Sequence, residues 1–373
     1  MREEMLKWMP RSLSLVAVLL LVACGGAAAP AEQAAPTVAP AAEAAPAETT
    51  VDLSAVKEYA LDNGRQMKAG TTALAETAAA YYELVAAHNF DYAAAWAADG
   101  PALAQLMADA KTHWTTASTH YELDEGIIAG VPSLAFYDVW IDAGPSAAED
   151  PTGAYEWTLE LPDGRSLPSP GNFFHSLLEP VIWGTHDDFA GLPADLDGDG
   201  ATALGEALPE ANVLLAAAQG LDGATAEMIA AVEGWQPTLS DAFTALVVMI
   251  PTMNEYFEQW KLSAYVAEEA EETAFVGVSR LFDINGILTG LDFTYGNLAT
   301  LVQTTDPALH AQIADGFTDL RGYVGDLYEQ ERAGTRFTAA QADLFGGEAQ
   351  AKATALAGQV SQAAALLNVT IAE

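Results

Sequence analysis

Two groups of residues have types and spacings that would do chemistry. The first is Asp195-Leu-Asp197-Gly-Asp199-Gly200-Ala201-Thr-Ala-Leu-Gly-Glu206, which fits D-x-D-x-D-G-x5-E at every fixed position. A calcium ion is hard and takes six to eight oxygen ligands, and this spacing winds them round it. Asp195, Asp197 and Asp199 would supply carboxylates, Ala201 its carbonyl and Glu206 a bidentate carboxylate, with Gly200 allowing the sharp turn. Gly191 and Pro193 stand where an entering helix would normally lie, and no second such loop exists. The loop therefore reads as a lone structural calcium site. A solvated Asp-Gly turn is the plain alternative.

The second group is a carboxylate–histidine set. His175 and Glu179 are four residues apart, and Glu122 and Glu125 are three apart. On helices, each pair shares a face. Two such helices side by side would bring one imidazole and three carboxylates together, a donor set suited to iron, manganese or zinc. The same spacings would also arise from an exposed acidic pair and a core histidine. His113 and His120 are possible accessory ligands, and His186-Asp187-Asp188 precedes the calcium-type loop. Met249 and Met253 read as core.

Other chemistries are excluded or weak. The chain has 373 residues with 14 Lys+Arg against 52 Asp+Glu, a net charge of −38. That charge excludes a nucleic-acid binder working by phosphate neutralisation. One Cys excludes disulfide frameworks and cysteine-rich metal sites. H-E-x-x-H and G-x-S-x-G are both absent, so the zincin and nucleophile-elbow routes to hydrolysis have no support.

The elements that must position these residues read as helical. A helix is expected from Val51 to His88, with Leu74, Ala78, Tyr81 and Val85 on its apolar face, and another over Pro101–Glu125. Residues 126–200 are rich in Gly, Pro and Asp. Within them, Trp157–Leu161 and Arg165–Leu167 flank Pro162-Asp163-Gly164 as a hairpin. Helices resume over Thr225–Trp235, over Leu239–Glu268 with a kink at Pro251, and over Thr273–Thr304. Asp306-Pro307 opens a helix to Glu331, and the capping box Thr338-x-x-Gln341 opens the last one, to Leu367. The expected fold is all-α: two packed helical bundles, 51–215 and 216–373, with a small β-hairpin and the calcium-type loop inserted.

Ahead of this body, Arg2, Lys7 and Arg11 precede an apolar run from Leu13 to Ala23, the pattern of a secretory signal peptide. Leu21-Val22-Ala23-Cys24-Gly25 looks like a lipobox, so residues 1–23 would be removed and Cys24 would carry the lipid. Residues 24–50, almost all Ala, Pro, Glu and Thr after Gly26, read as a linker. The mature chain would keep 11 basic and 50 acidic groups, a net of −39.

The lipoprotein-like leader, the helical body and the run Glu179-Pro-Val-Ile-Trp183-Gly184 resemble the imelysin-like family, which includes the EfeO-type extracytoplasmic component of ferrous iron uptake. Family members often carry G-x-H-x-x-E leading into an apolar, Trp-containing run, and Tyr121-Glu122-x-x-Glu125 is similar to a motif of the EfeO branch. Here the pattern is Gly171-x-x-x-His175-x-x-x-Glu179, two residues longer before the His and one longer after it. The resemblance, over residues 55 to 370, implies a two-bundle fold with a metal or ligand site between helices. The expected function is that of a membrane-tethered, extracytoplasmic metal-binding protein in the uptake of iron or another divalent metal. Ca²⁺, and Fe²⁺/Fe³⁺ or Zn²⁺, are its expected ions, and a membrane permease its expected partner. A surface interaction lipoprotein with a purely structural calcium loop and, less favoured, a metallopeptidase are the alternatives.

Overall fold

Helix α1 (Ser54–Ala86) buries Val56, Ala60, Met67, Leu74, Ala78, Tyr81 and Val85, steps of mostly three and four residues that aim one stripe at the core. The structure, a computed structural model, describes residues 51–266 and 275–372. The leader, Cys24, the linker, Glu268 and Thr273 lie outside the described residues.

Helix α2 (Tyr92–Ile128) begins well before the expected Pro101. Asp91 caps it by accepting from the Ala94 N–H, and the chain bends at Asp99, so Pro101 sits just after a break. After the one-turn α3 (Ala135–Asp138) comes a π-helical segment, Val139–Ala143. Strands β1 (Thr158–Glu160) and β2 (Ser166–Pro168) then form the expected hairpin. A second π segment, Phe173–Leu178, runs directly into α4 (Glu179–Trp183).

Strands β3 (Ala190–Pro193) and β4 (Ala207–Pro209) pair antiparallel and bracket the calcium-type loop. The loop is thus a long hairpin connection, with a strand where a calcium-binding helix–loop–helix would have its entering helix. Helix α5 (Ala211–Gly234) starts directly after β4 with Glu210 as its cap. It extends the expected 225–235 helix by fourteen residues at its start, and the expected 215/216 boundary falls inside it.

Pro251 breaks the next helix as expected. Helix α6 (Leu239–Met249) passes through a 3₁₀ turn, Ile250–Thr252, into α7 (Met253–Leu262). Helix α8 (Arg280–Thr305) starts later than its apolar spacing suggested. Phe275 and Val278 precede it, because the amides of residues 275–277 are committed elsewhere and Ser279 caps the helix. Helices α9 (Pro307–Arg332) and α10 (Ala339–Leu366) open at the expected Asp306 cap and Thr338/Gln341 box.

Among the described residues, the protein is all-α apart from two small sheets. Helices α1, α2 and α5 pack together, and α6 to α10 form a second group. Helix α8 lies directly on α2, so that the described residues form one compact unit. Gly286 and Gly290 permit this close approach. A Cβ on Gly286 would stand 2.7 Å from the Glu122 Cβ, and one on Gly290 would run into the Leu123 carbonyl. No helix among the described residues is long and apolar enough to cross a membrane.

Candidate metal centre

Glu122 and Glu125 lie on the core side of the last turns of α2, 1% and 3% exposed. Two π-helical segments face them. One carries Asp142, 3% exposed, with Asp138 at its start; the other carries His175, 5% exposed. A π turn holds more residues than an α turn, and such turns often occur at functional sites. The four-residue step from His175 to Glu179 spans the end of the second segment. Asn172 ties the two segments together. Its side-chain oxygen accepts from the amides of His175 (2.6 Å) and Ser176 (3.2 Å), while its Nδ2 donates to the Gly144 carbonyl at 3.0 Å. Gly171 is needed beside it. Its φ is +89°, and a Cβ there would stand 2.9 Å from the Ser146 amide nitrogen and closer still to the Ser176 side chain.

His175 sits between two carboxylates. Its Nδ1 is 2.8 Å from Glu179 Oε2, and its Nε2 is 3.2 Å from Asp142 Oδ1 without the alignment of a hydrogen bond. Burial alone would lower its pKa, but Asp142 and Glu179 outweigh burial and push it up to about 10. Asp142 is likewise disfavoured by burial, yet the facing His175 holds it below the usual carboxylate range.

Glu179 is placed differently from the ligand expected of it. Its oxygens accept from the backbone amides of Phe275 (2.8 Å), Val276 (2.8 Å) and Gly277 (2.7 Å). With His175 as a fourth partner, its lone pairs are taken up. It orients the imidazole and pins the segment entering α8. Phe275, at a φ of +53°, lies over the His175 ring with centroids 4.4 Å apart.

Four residues at the centre were not singled out by sequence: Asp138, Asp142, Arg280 and Asp283. Arg280, 3% exposed, donates from Nη1 to Asp283 (3.1 Å) and from Nε to Gln259 (2.8 Å). Its guanidinium lies between the rings of Tyr256 (4.5 Å) and Phe275 (4.7 Å). Tyr256 donates to Glu125 at 2.8 Å, and Tyr121 donates to Asp138 at 2.7 Å. The available signals were the i,i+4 pair Asp138/Asp142 and the i,i+3 pair Arg280/Asp283. Both sat in stretches without a metal motif, one of them read as irregular.

Burial followed by the other acids raises Glu125 to about 7 and holds Glu122 and Asp138 well above the ordinary carboxylate range. Asp283 is pushed up to about 6 by burial, with Arg280 opposing. Both Glu122 oxygens, Glu125 Oε2, both Asp142 oxygens and His175 Nε2 have no hydrogen-bond partner among the described residues. One ligand atom each from Glu122, Asp142 and His175 lies within 4.8 Å of the others. A cavity of about 460 Å³ opens beside them, lined by Glu125, Asp138, Asp142, His175, Tyr256 and Arg280 among others.

The remaining candidates lie apart from this centre. His120 bonds Asn63 at 3.1 Å, and His186 caps a short turn while stacking on Phe189. His113 lies half-buried on α2, one residue before the core Trp114. Met253 is core, and Met249 is buried at the cavity wall. In the calcium-type loop, Asp195, Asp197 and Asp199 each bring a ligand atom within 4.8 Å of the others. Asp195 accepts from the Gly198 and Gly200 amides, and Glu206 closes the loop by accepting from Leu196, Asp197 and Ala203. Ala201 follows Asp199, to which its amide donates at 2.8 Å.

Helical groups meeting at a buried acid–histidine cluster define the class: an all-α bundle protein with an internal ionisable centre. The imelysin family model matches residues 174–367, and the chain belongs to the imelysin family. The matched span contains His175, Glu179, Arg280 and Asp283. The acids of α2 and of the first π segment precede it. A search of curated proteins found no match for the sequence.

Proposed function

We propose that this imelysin-family protein binds a transition-metal cation at the buried cluster and serves, tethered outside the cytoplasm through a lipid on Cys24, in the uptake of iron or another divalent metal. The observation that carries this reading is the set of buried ligand atoms around Asp142 that have no hydrogen-bond partner among the described residues: His175 Nε2, both Glu122 oxygens and both Asp142 oxygens, with only the 3.2 Å His175–Asp142 approach and Arg280 at 3.9 Å from Glu122 to offset their charge. Such atoms are costly to bury without partners. A cation among them supplies the missing partner, and one imidazole with carboxylates suits iron, manganese or zinc.

In this reading His175, Glu122 and Asp142 hold the ion. Glu179 acts through His175 Nδ1, the usual way a carboxylate orients a ligating imidazole. The Tyr121-Glu122-x-x-Glu125 motif supports an EfeO-type role, in which a membrane permease would receive the metal. The loop Asp195–Glu206 holds Ca²⁺ and stiffens the β3–β4 connection. The acidic surface raises the local concentration of cations.

Titration of Fe²⁺, without oxygen, or Zn²⁺ into the purified protein tests the assignment. Wild-type protein should bind, and His175→Ala should weaken binding by at least about 100-fold, the upper end of what losing a partner behind a metal ligand costs. Equal affinity in the two proteins would remove His175 from the site.

A further inference from the structure

The acids around Asp142 fall into two overlapping sets. Glu122, Asp142 and His175 form one, wholly buried. Glu125, Asp138 and Asp142 form the other, on the cavity side, again with one ligand atom each within 4.8 Å of the others. Asp142 belongs to both. It is 3% exposed; neither of its oxygens has a hydrogen-bond partner among the described residues, and only Oδ1 is approached by a charged group, His175 Nε2 at 3.2 Å. We propose that the cluster holds two divalent cations side by side, bridged by the Asp142 carboxylate. This goes beyond the single-ion reading above and rests on it.

The donors of the second set are prepared in a particular way. Tyr256 takes one oxygen of Glu125, Oε1, and the other, Oε2, is buried without a partner. Tyr121 takes Oδ1 of Asp138. Each tyrosine therefore fixes the direction of a carboxylate through one oxygen and leaves the second for a ligand. The two sets differ in hardness. The inner one contains an imidazole, and the outer one offers oxygen alone and opens on the cavity, where water can complete the coordination. That arrangement suits Mn²⁺ or Fe²⁺ in the outer position and tolerates Zn²⁺ in the inner one.

Charge balance points the same way. Glu122, Glu125, Asp138, Asp142 and Asp283 meet one fixed cation, Arg280, once His175 is neutral as a ligand. Glu179 is answered separately by three backbone amides. Fully ionised, the cluster then carries four uncompensated negative charges, which two divalent ions would neutralise without retained protons; a single divalent ion would require two of the acids to stay protonated.

The test uses the full chain with Asp195→Asn and Glu206→Gln, so that the calcium-type loop does not add to the count. Equilibrium dialysis against Mn²⁺ without oxygen should give two ions per chain, and electron paramagnetic resonance should show a spin-coupled Mn²⁺ pair. Asp138→Asn should reduce the count to one and replace the coupled spectrum with that of an isolated ion. Glu125→Gln should do the same and serves if Asp138→Asn does not fold. One ion per chain in the starting protein would overturn the pair and leave the single site standing. Two uncoupled ions would overturn the Asp142 bridge. No bound ion would overturn the underlying metal reading as well.

Discussion

The buried cluster and the calcium-type loop are built from the same functional group and treat it in opposite ways. In the loop, carboxylates face solvent and their own backbone supplies the partners. Asp195 and Glu206 between them accept from five amides, and these bonds hold Glu206 below the ordinary carboxylate range. In the cluster, carboxylates are taken out of water and several oxygens receive no donor among the described residues; burial and the neighbouring acids push Glu122, Glu125 and Asp138 upward. A loop of the first kind is locally satisfied with or without an ion. A cluster of the second kind binds protons when no cation is there, so ion and proton compete for the same oxygens. The two regions lie apart and are linked through intervening aromatic packing. A Cβ on Gly205, next to Glu206, would lie 2.9 Å from Trp183. Trp183 packs edge-on against Trp114, and Trp114 in turn lies against the His175 ring.

Three changes would break or sharpen this contrast. The largest effect belongs to Glu179→Gln. It removes a buried charge shared by His175 and three amides, and an NH₂ group would face donors. The variant should lose about 3–5 kcal/mol of stability, the scale for breaking a buried charged pair, read by denaturant unfolding. A loss under about 1 kcal/mol would mean that the amides of 275–277 do not depend on it.

The next effect is pH dependence of the metal-free protein. His175, at about 10, and Glu125, at about 7, both sit above their unfolded values. The native state therefore holds more protons than the unfolded chain. Stability is highest at the acid end of this range, and it falls as pH rises through the interval between unfolded and folded pKa values. Melting temperature without metal should drop between pH 5 and pH 8, and an added transition-metal ion should flatten that drop. A melting temperature that rises with pH would contradict the protonated cluster.

The smallest effect is in the loop. At a calcium concentration one hundred times Kd, wild-type protein should gain about 2.7 kcal/mol by linkage, and Glu206→Gln should lose most of that gain. The buried cluster should keep its affinity for iron or zinc in this variant. No calcium-dependent change in wild-type melting would refute the loop's assignment.

Much of the scaffold was legible in the sequence because its signals are local. The Asp306 and Thr338 caps, the Pro251 break and the Pro162-Asp163-Gly164 turn each act within a few residues, and each stands where expected. The start of α5 was missed because residues 211–224 are apolar on nearly every side, so no helical period distinguishes them. The centre was half legible. Glu122, Glu125 and His175 were found from spacing and do converge. Glu179 was assigned a ligand's place because sequence cannot tell a carboxylate facing a cation from one facing three amides of a segment 96 to 98 residues away. Asp142 escaped because a π-helical segment has no pattern in a reading based on periods of two and 3.6, and Asp138 because it closes a single helical turn too short to show a period.

The measurement that bears most directly on the cluster is anomalous scattering from crystals of the protein grown with iron or zinc, collected at the metal's absorption edge. A peak between His175 Nε2, Glu122 and Asp142 is the predicted result. A protein with metal only at Asp195–Glu206, or with no peak at the buried donors under saturating metal, would contradict the account.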